Sequence, residues 1–171
     1  MDRATTQALV GWFLLTIAWL SPGKALADLH AALGINNEAE PSLTLELDRV
    51  ISLHDWHPAL SLRLATGVLL LPGNEGDDNA ALLLTPAFRY TFADTARRLF
   101  VEAGIGAALF LNTHYEDRRL GSSFQFEDRL AAGMRLGSGE LSVSYTHYSN
   151  ADIRMPNHGL DILAFGYRHP F

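Results

Sequence analysis

His147, Ser149 and Asp161 are the residues whose types and spacing could carry out chemistry in this chain. His147 and Ser149 end a stretch in which Leu141, Val143 and Tyr145 alternate with Ser142, Ser144 and Thr146. Such alternation marks a strand, where side chains two apart share one face at roughly 6.6 Å. An imidazole and a hydroxyl so placed can lean together and share a hydrogen bond. Further on, Leu163, Phe165 and Tyr167 set the parity of a second strand, and that parity extends back to Asp161. A hairpin symmetric about Arg154 puts Asp161 opposite His147, with Cβ atoms about 4.5–5.5 Å apart. Hydroxyl, imidazole and carboxylate then form the parts of a serine esterase: nucleophile, base, and the acid that orients the base. Plainer readings exist for each residue alone. A histidine can belong to an interfacial belt, and an aspartate can start a strand. Three polar groups converging on an otherwise apolar parity favour chemistry.

The elements that must position these residues repeat one pattern down the chain. Period-two runs recur around Leu29–Ile35, Leu43–Leu47, Leu60–Leu64, Phe88–Phe92, Val101–Leu109, Phe124–Leu136 (broken by Asp128), Leu141–Ser149 and Asp161–Phe171. Turn-forming stretches separate them, among them Asn36 to Glu38, Gly73 to Asn79, Asn112 to Gly121, Gly137 to Gly139 and Asn150 to Gly159. Eight strands with alternately short and long connections predict an all-β fold, an eight-stranded antiparallel transmembrane β-barrel. The off-parity positions hold Arg63, Arg89, Glu102, Glu127, Arg129 and Arg135, while the other parity is almost purely apolar. Eight strands enclose an interior that side chains can fill, and arginine with glutamate can fill it by pairing. The apolar face is then left for lipid. Ionisable groups on a lipid-facing parity default to a functional reading, which returns the argument to His147 and Asp161.

The N-terminus reads as a targeting segment. Arg3 precedes an apolar run from Ala8 to Leu20, Pro22-Gly23 break it, and Ala25-Leu26-Ala27 is a small-x-small cleavage site. The run is too short to span a bilayer comfortably. The expected organisation is a signal peptide at 1–27 and a barrel at 28–171. Cleavage removes Asp2, Arg3 and Lys24, so the mature chain is one unit more negative than the full chain's −6 and carries no lysine. An acidic surface argues against nucleic acid as a partner. There is no cysteine, which excludes a disulfide framework and thiolate metal ligation. Export and the terminal aromatic Phe171, in phase with Tyr167 and Phe165, point to the cell outer membrane. Termini in the periplasm put the His147–Asp161 hairpin end at outer-leaflet depth.

The stretch His147-Tyr148-Ser149-Asn150-Ala151, followed by Pro156-Asn157-His158-Gly159-Leu160-Asp161, resembles the signature of the outer-membrane lipid A 3-O-deacylases. Phe100 to Gly106 and Gly121 to Phe126 support the likeness, which runs from about Leu99 to Phe171. The resemblance implies a hydrolase that removes the 3-hydroxyacyl chain ester-linked at position 3 of lipid A, with no metal or other cofactor. It puts His147 and Ser149 on the family's histidine and serine. Asp161 falls where the acid is commonly glutamate, one methylene longer. Asn150 matches a residue that helps the oxyanion, and Asp152 stands where the family often has glycine. The partners it implies are lipid A of the outer leaflet and the surrounding lipids, with a homodimer left open.

Two rival functions belong to other classes. A non-enzymatic small barrel would leave lipid A unchanged. A lipid A acyltransferase would need a chain-measuring pocket inside the barrel, against which the polar interior parity argues. Arg118 and Arg119 could hold lipid phosphates or be solvated, and solvation is the simpler expectation.

Overall fold

The computed structural model describes residues 27–74, 77–92 and 97–171; the expected signal peptide lies outside them except for Ala27. Eight long strands follow the alternating runs: β1 (Asp28–Asn36), β2 (Pro41–Ser52), β3 (Leu60–Leu71), β4 (Asn79–Thr91), β5 (Phe100–Phe110), β8 (Phe124–Leu136), β9 (Gly139–Ser149) and β10 (Leu160–His169). Between β5 and β8 the short strands β6 (His114–Tyr115) and β7 (Arg118–Arg119) form a separate ribbon. The eight long strands close antiparallel in the order β1-β10-β9-β8-β5-β4-β3-β2, so the first and last pair with each other. Closure leaves no sheet edge, the condition for spanning hydrocarbon with strands.

Side-chain alternation sorts the residues as a membrane barrel requires. Leu33, Ile105, Leu130 and Phe165 are each at least 60% exposed, and all lie on the outward parity. The same apolar wall in water would be an extended aggregation surface; against lipid it is the stabilising face. The interior divides into two halves. Toward the end that carries the chain termini it holds an ion network in which Arg63 donates to Glu46 and Asp48 (2.8 Å each), and Arg89 to Glu102 and Glu140. Toward the opposite end an apolar cluster forms beside buried Gln125 and Glu127: Leu69, Leu71, Leu83, Phe110, Leu160 and Ile162 pack with Tyr115 and Leu120, which the β5–β8 connection folds into the mouth. The interior thus holds the expected arginine–carboxylate pairs and, beyond them, an apolar cluster. Both halves are filled.

Strands β3 and β4 run longer than their alternating cores. At their outer ends both parities are apolar (Val68–Leu71, Ala80–Leu84), so periodicity fades there although the ladder continues from Leu64↔Pro86 to Leu71↔Asn79. Pro86 breaks the ladder on its other side. Pairing between β4 and β5 stops after Leu84↔Ala107 and resumes at Phe88↔Ala103. Proline has no N–H to donate. A Cβ on Gly104 would fall 2.1 Å from the Pro86 carbonyl oxygen, so the backbones pass closely there. Pro86, Ala103 and Gly104 line a furrow in the outer wall.

Candidate active site on the outer wall

The β9–β10 hairpin is symmetric about Arg154, and Asp161 is the register partner of His147. The two side chains meet: His147 Nδ1 lies 2.7 Å from Asp161 Oδ1. A carboxylate only accepts, so Nδ1 carries the proton and the lone pair of Nε2 stays available. Both side chains remain about a third exposed, on the wall that faces lipid. Ser149 is two residues beyond His147 on that wall, at the end of β9, and is half-buried. Its register partner on the β8 side is Phe126; β10 begins opposite Tyr148, so the hydroxyl stands at an opening of the sheet.

Gly159 forms the edge of that opening. It adopts φ +64°, a region where a side chain is strained, and a Cβ there would come within 3.0 Å of His147 Cε1. The absent side chain leaves the imidazole its position.

Other residues join the site from elsewhere in the fold. Asp128, where the alternation of the sixth run breaks, is the β8 partner of His147, so the histidine stands between two aspartates. Asp128 is exposed on the outer wall. The Tyr145 hydroxyl donates to Asp161 Oδ1 (2.6 Å), and Asn37 donates through Nδ2 to Asp161 Oδ2 (3.1 Å). Asp128 carried a sequence signal, the break in an apolar parity. Asn37 carried none, because it lies 124 residues from Asp161.

The side chain of Asn150 departs from the expected oxyanion role. It is on the inward parity, 1% exposed, and Nδ2 donates to the carbonyls of Leu120 (2.9 Å) and Arg154 (2.7 Å). Both amide hydrogens are thereby used inside the protein. Asn150 instead ties the 150–159 loop to the β5–β8 connection, and Asn157 Oδ1 accepts from its backbone N–H. Ala151 and Asp152 follow it with φ of 52° and 59°, so the chain turns sharply straight after Ser149. Arg118 pairs with Glu38 and donates to the His158 carbonyl, which makes it a link between loops, whereas Arg119 is exposed.

A groove of about 680 Å³ leads away from the site. It begins at His147, Tyr145 and Asp128, crosses Leu130 and Ile105, and passes over the Pro86–Gly104 furrow to Leu62. A second groove sharing Phe88, Ala103 and Leu130 continues it toward the end that carries the chain termini. Both are almost entirely apolar apart from the head. Among the described residues no His/Asp/Glu cluster could hold a metal ion.

A closed barrel with an apolar outer wall and polar groups gathered on that wall defines an integral outer-membrane protein with a laterally accessible site. The chain belongs to the lipid A 3-O-deacylase (PagL) family, which residues 39–170 match. It is 41% identical over 99 residues to the lipid A deacylase PagL of Pseudomonas aeruginosa, a match covering 57% of each chain. It is 44% identical over 87 residues to the protein of the same name from Bordetella bronchiseptica, covering 50% of this chain and 47% of that one. The matched segments thus span about half the length of these curated relatives. The crystal structure of the outer-membrane enzyme PagL superposes with a TM-score of 0.75 at 32% identity, over 85% of this chain and all of that one. A designed transmembrane β-barrel, at 13% identity and a TM-score of 0.56 over 89% of this chain and all of that one, shares the fold alone. Nothing in these likenesses supports a dimer.

Proposed function

We propose that the protein hydrolyses the ester of the 3-hydroxyacyl chain at position 3 of lipid A, with Ser149 as nucleophile, His147 as base and Asp161 as the acid orienting His147. The observation that carries the reading is the 2.7 Å His147–Asp161 pair on the lipid-facing wall, with Ser149 next on the same face. In the reaction Ser149 Oγ attacks the ester carbonyl as its proton passes to His147 Nε2. The imidazolium is stabilised by Asp161 through Nδ1–H. Collapse of the tetrahedral intermediate breaks the bond to the sugar oxygen, which takes the proton from His147. Water, deprotonated by the same imidazole, then releases the hydroxy fatty acid from Ser149.

The groove suits the acyl chain. Its apolar floor runs from His147 down the barrel wall, so a chain already in the leaflet needs no transfer through water. Asp128 at its head suits the substrate's 3-hydroxyl, which lies two carbons from the ester and would donate to a carboxylate. With the Asn150 amide committed elsewhere, the oxyanion donors are assigned to backbone N–H groups of the turn at Ala151 and Asp152, which Asn150 holds in place. Export by a leader at residues 1–27 belongs to the same reading and puts the site in the outer leaflet, where lipid A resides. An acyltransferase reading has less support, since the groove lies outside the barrel and the interior is packed by Leu69, Phe110 and Tyr115.

Mass spectrometry of lipid A from cells with and without the protein tests the proposal. One 3-hydroxyacyl group is lost on expression. An unchanged spectrum with folded protein in the outer membrane ends the reading.

A further inference from the structure

We propose that Tyr145 and Asn37 are positioning residues that lock Asp161 in the orientation from which it can hold His147. The inference rests on the esterase reading and adds residues that the resemblance does not supply. Asp161 Oδ1 receives two donors, Tyr145 Oη at 2.6 Å and His147 Nδ1 at 2.7 Å. Its Oδ2 receives Asn37 Nδ2 at 3.1 Å. Asn37 also holds the backbone on both sides. Its N–H donates to the Asp161 carbonyl (3.1 Å), and its Oδ1 accepts the Asp161 N–H (3.3 Å).

This arrangement answers a specific problem. The aspartate has a single methylene with which to reach the imidazole. It sits near the start of β10, where the ladder to β9 has just begun at Leu160↔Tyr148. The side chain is a third exposed, so a free carboxylate could turn toward polar headgroups and leave His147 without a partner. The ladder between β1 and β10 runs out to Asn36↔Ile162, and Asn37 extends it by one more residue. Barrel closure therefore supplies the lock on one side, and Tyr145, two residues before His147 on the same face of β9, supplies it on the other. A carboxylate with donors on both oxygens cannot rotate without losing charge-assisted hydrogen bonds.

The experiment uses full-length protein folded in detergent and purified lipopolysaccharide as substrate, with kcat and KM measured separately. Tyr145→Phe and Asn37→Ala each lower kcat by about tenfold, the size expected for losing a hydrogen bond to a charged group, while KM stays within about twofold. Asp161→Asn is then combined with each. A residue that acts only through Asp161 has no further effect once the carboxylate is gone. Wild-type kcat in both single variants overturns the proposal, as does an equal loss of kcat in the Asp161→Asn background. The second measurement needs no turnover. The His147 Nδ1–H proton resonance is far downfield in the wild type and moves upfield or broadens in both single variants. An unmoved resonance in both refutes the lock even if the protein hydrolyses nothing. Absence of hydrolysis by the wild type with the resonance behaving as described refutes the esterase reading and leaves the lock standing.

Discussion

Among the described residues the barrel contains two histidine–carboxylate pairs of nearly equal geometry, one inside and one outside. His30 Nδ1 lies 2.9 Å from Glu46 Oε2, and His147 Nδ1 lies 2.7 Å from Asp161 Oδ1. The inner pair is sealed, with side chains 5% and 1% exposed, and Glu46 also accepts from Arg63. The free nitrogen of His30 faces the backbone of β10, where a methyl group on Gly166 would come within 2.3 Å of Nε2. The free nitrogen of His147 faces the opening left by Gly159, at the head of the groove. The pair alone therefore defines no site. In the proposed reading, access to the second nitrogen does, together with a hydroxyl on the same face and a groove that leads away from it.

The largest effect expected from breaking the outer pair's surroundings is that of Ser149→Ala, which abolishes deacylation while leaving heat-modifiable gel mobility unchanged. The hydroxyl is small and half-buried, so folding barely registers its removal. Ser142→Ala, beside the inner pair, keeps full activity. Residual deacylation by Ser149→Ala at more than about one part in a thousand would point to a different nucleophile.

Carboxylate removal separates the pairs further. Asp161→Asn lowers kcat by about three to four orders of magnitude, because the imidazole is then held in the wrong tautomer. Glu46→Gln lowers stability by about 3 kcal/mol, since Arg63 and His30 lose a buried charged partner, yet leaves the rate per folded molecule intact. Rates on the folded fraction, with unfolding temperatures from gel mobility, read both. A rate loss in Glu46→Gln matching that of Asp161→Asn would dissolve the distinction between the two pairs.

A smaller loss, about 10- to 100-fold in kcat, is expected for Gly159→Ala, where the added methyl displaces the imidazole from Ser149. Equal rates for this variant and the wild type would show that His147 tolerates the crowding.

The smallest effect belongs to Asp161→Glu. The longer acid still reaches His147, and activity stays within about tenfold of wild type. A deeper loss would show that Asn37 and Tyr145 are set to the shorter side chain and do not yield. Purified variants in detergent decide between these outcomes.

The strand of His147 and Ser149 was legible in the chain because period-two alternation fixes which face each side chain takes. Asp161 followed from hairpin symmetry alone, since β9 and β10 are neighbours in sequence. Likeness to a motif left the side chain of Asn150 unplaced: its parity is inward, and only the packed loop shows where its amide hydrogens go. Asp128 was visible as an interruption, but its place beside His147 required the β8–β9 register.

What the sequence by itself determined is the class of structure and the row of polar side chains on its outer wall, because both depend on local alternation and a single hairpin. The tertiary structure alone decided what surrounds that row. Asn37 reaches Asp161 only because β1 pairs with β10 across 124 residues, the furrow is lined by Pro86 of one strand and Ala103 and Leu130 of its neighbours, and the barrel mouth is filled only because Tyr115 and Leu120 fold back into it. Those contacts depend on barrel closure and on loop docking, and no local pattern of residues encodes the separation they span.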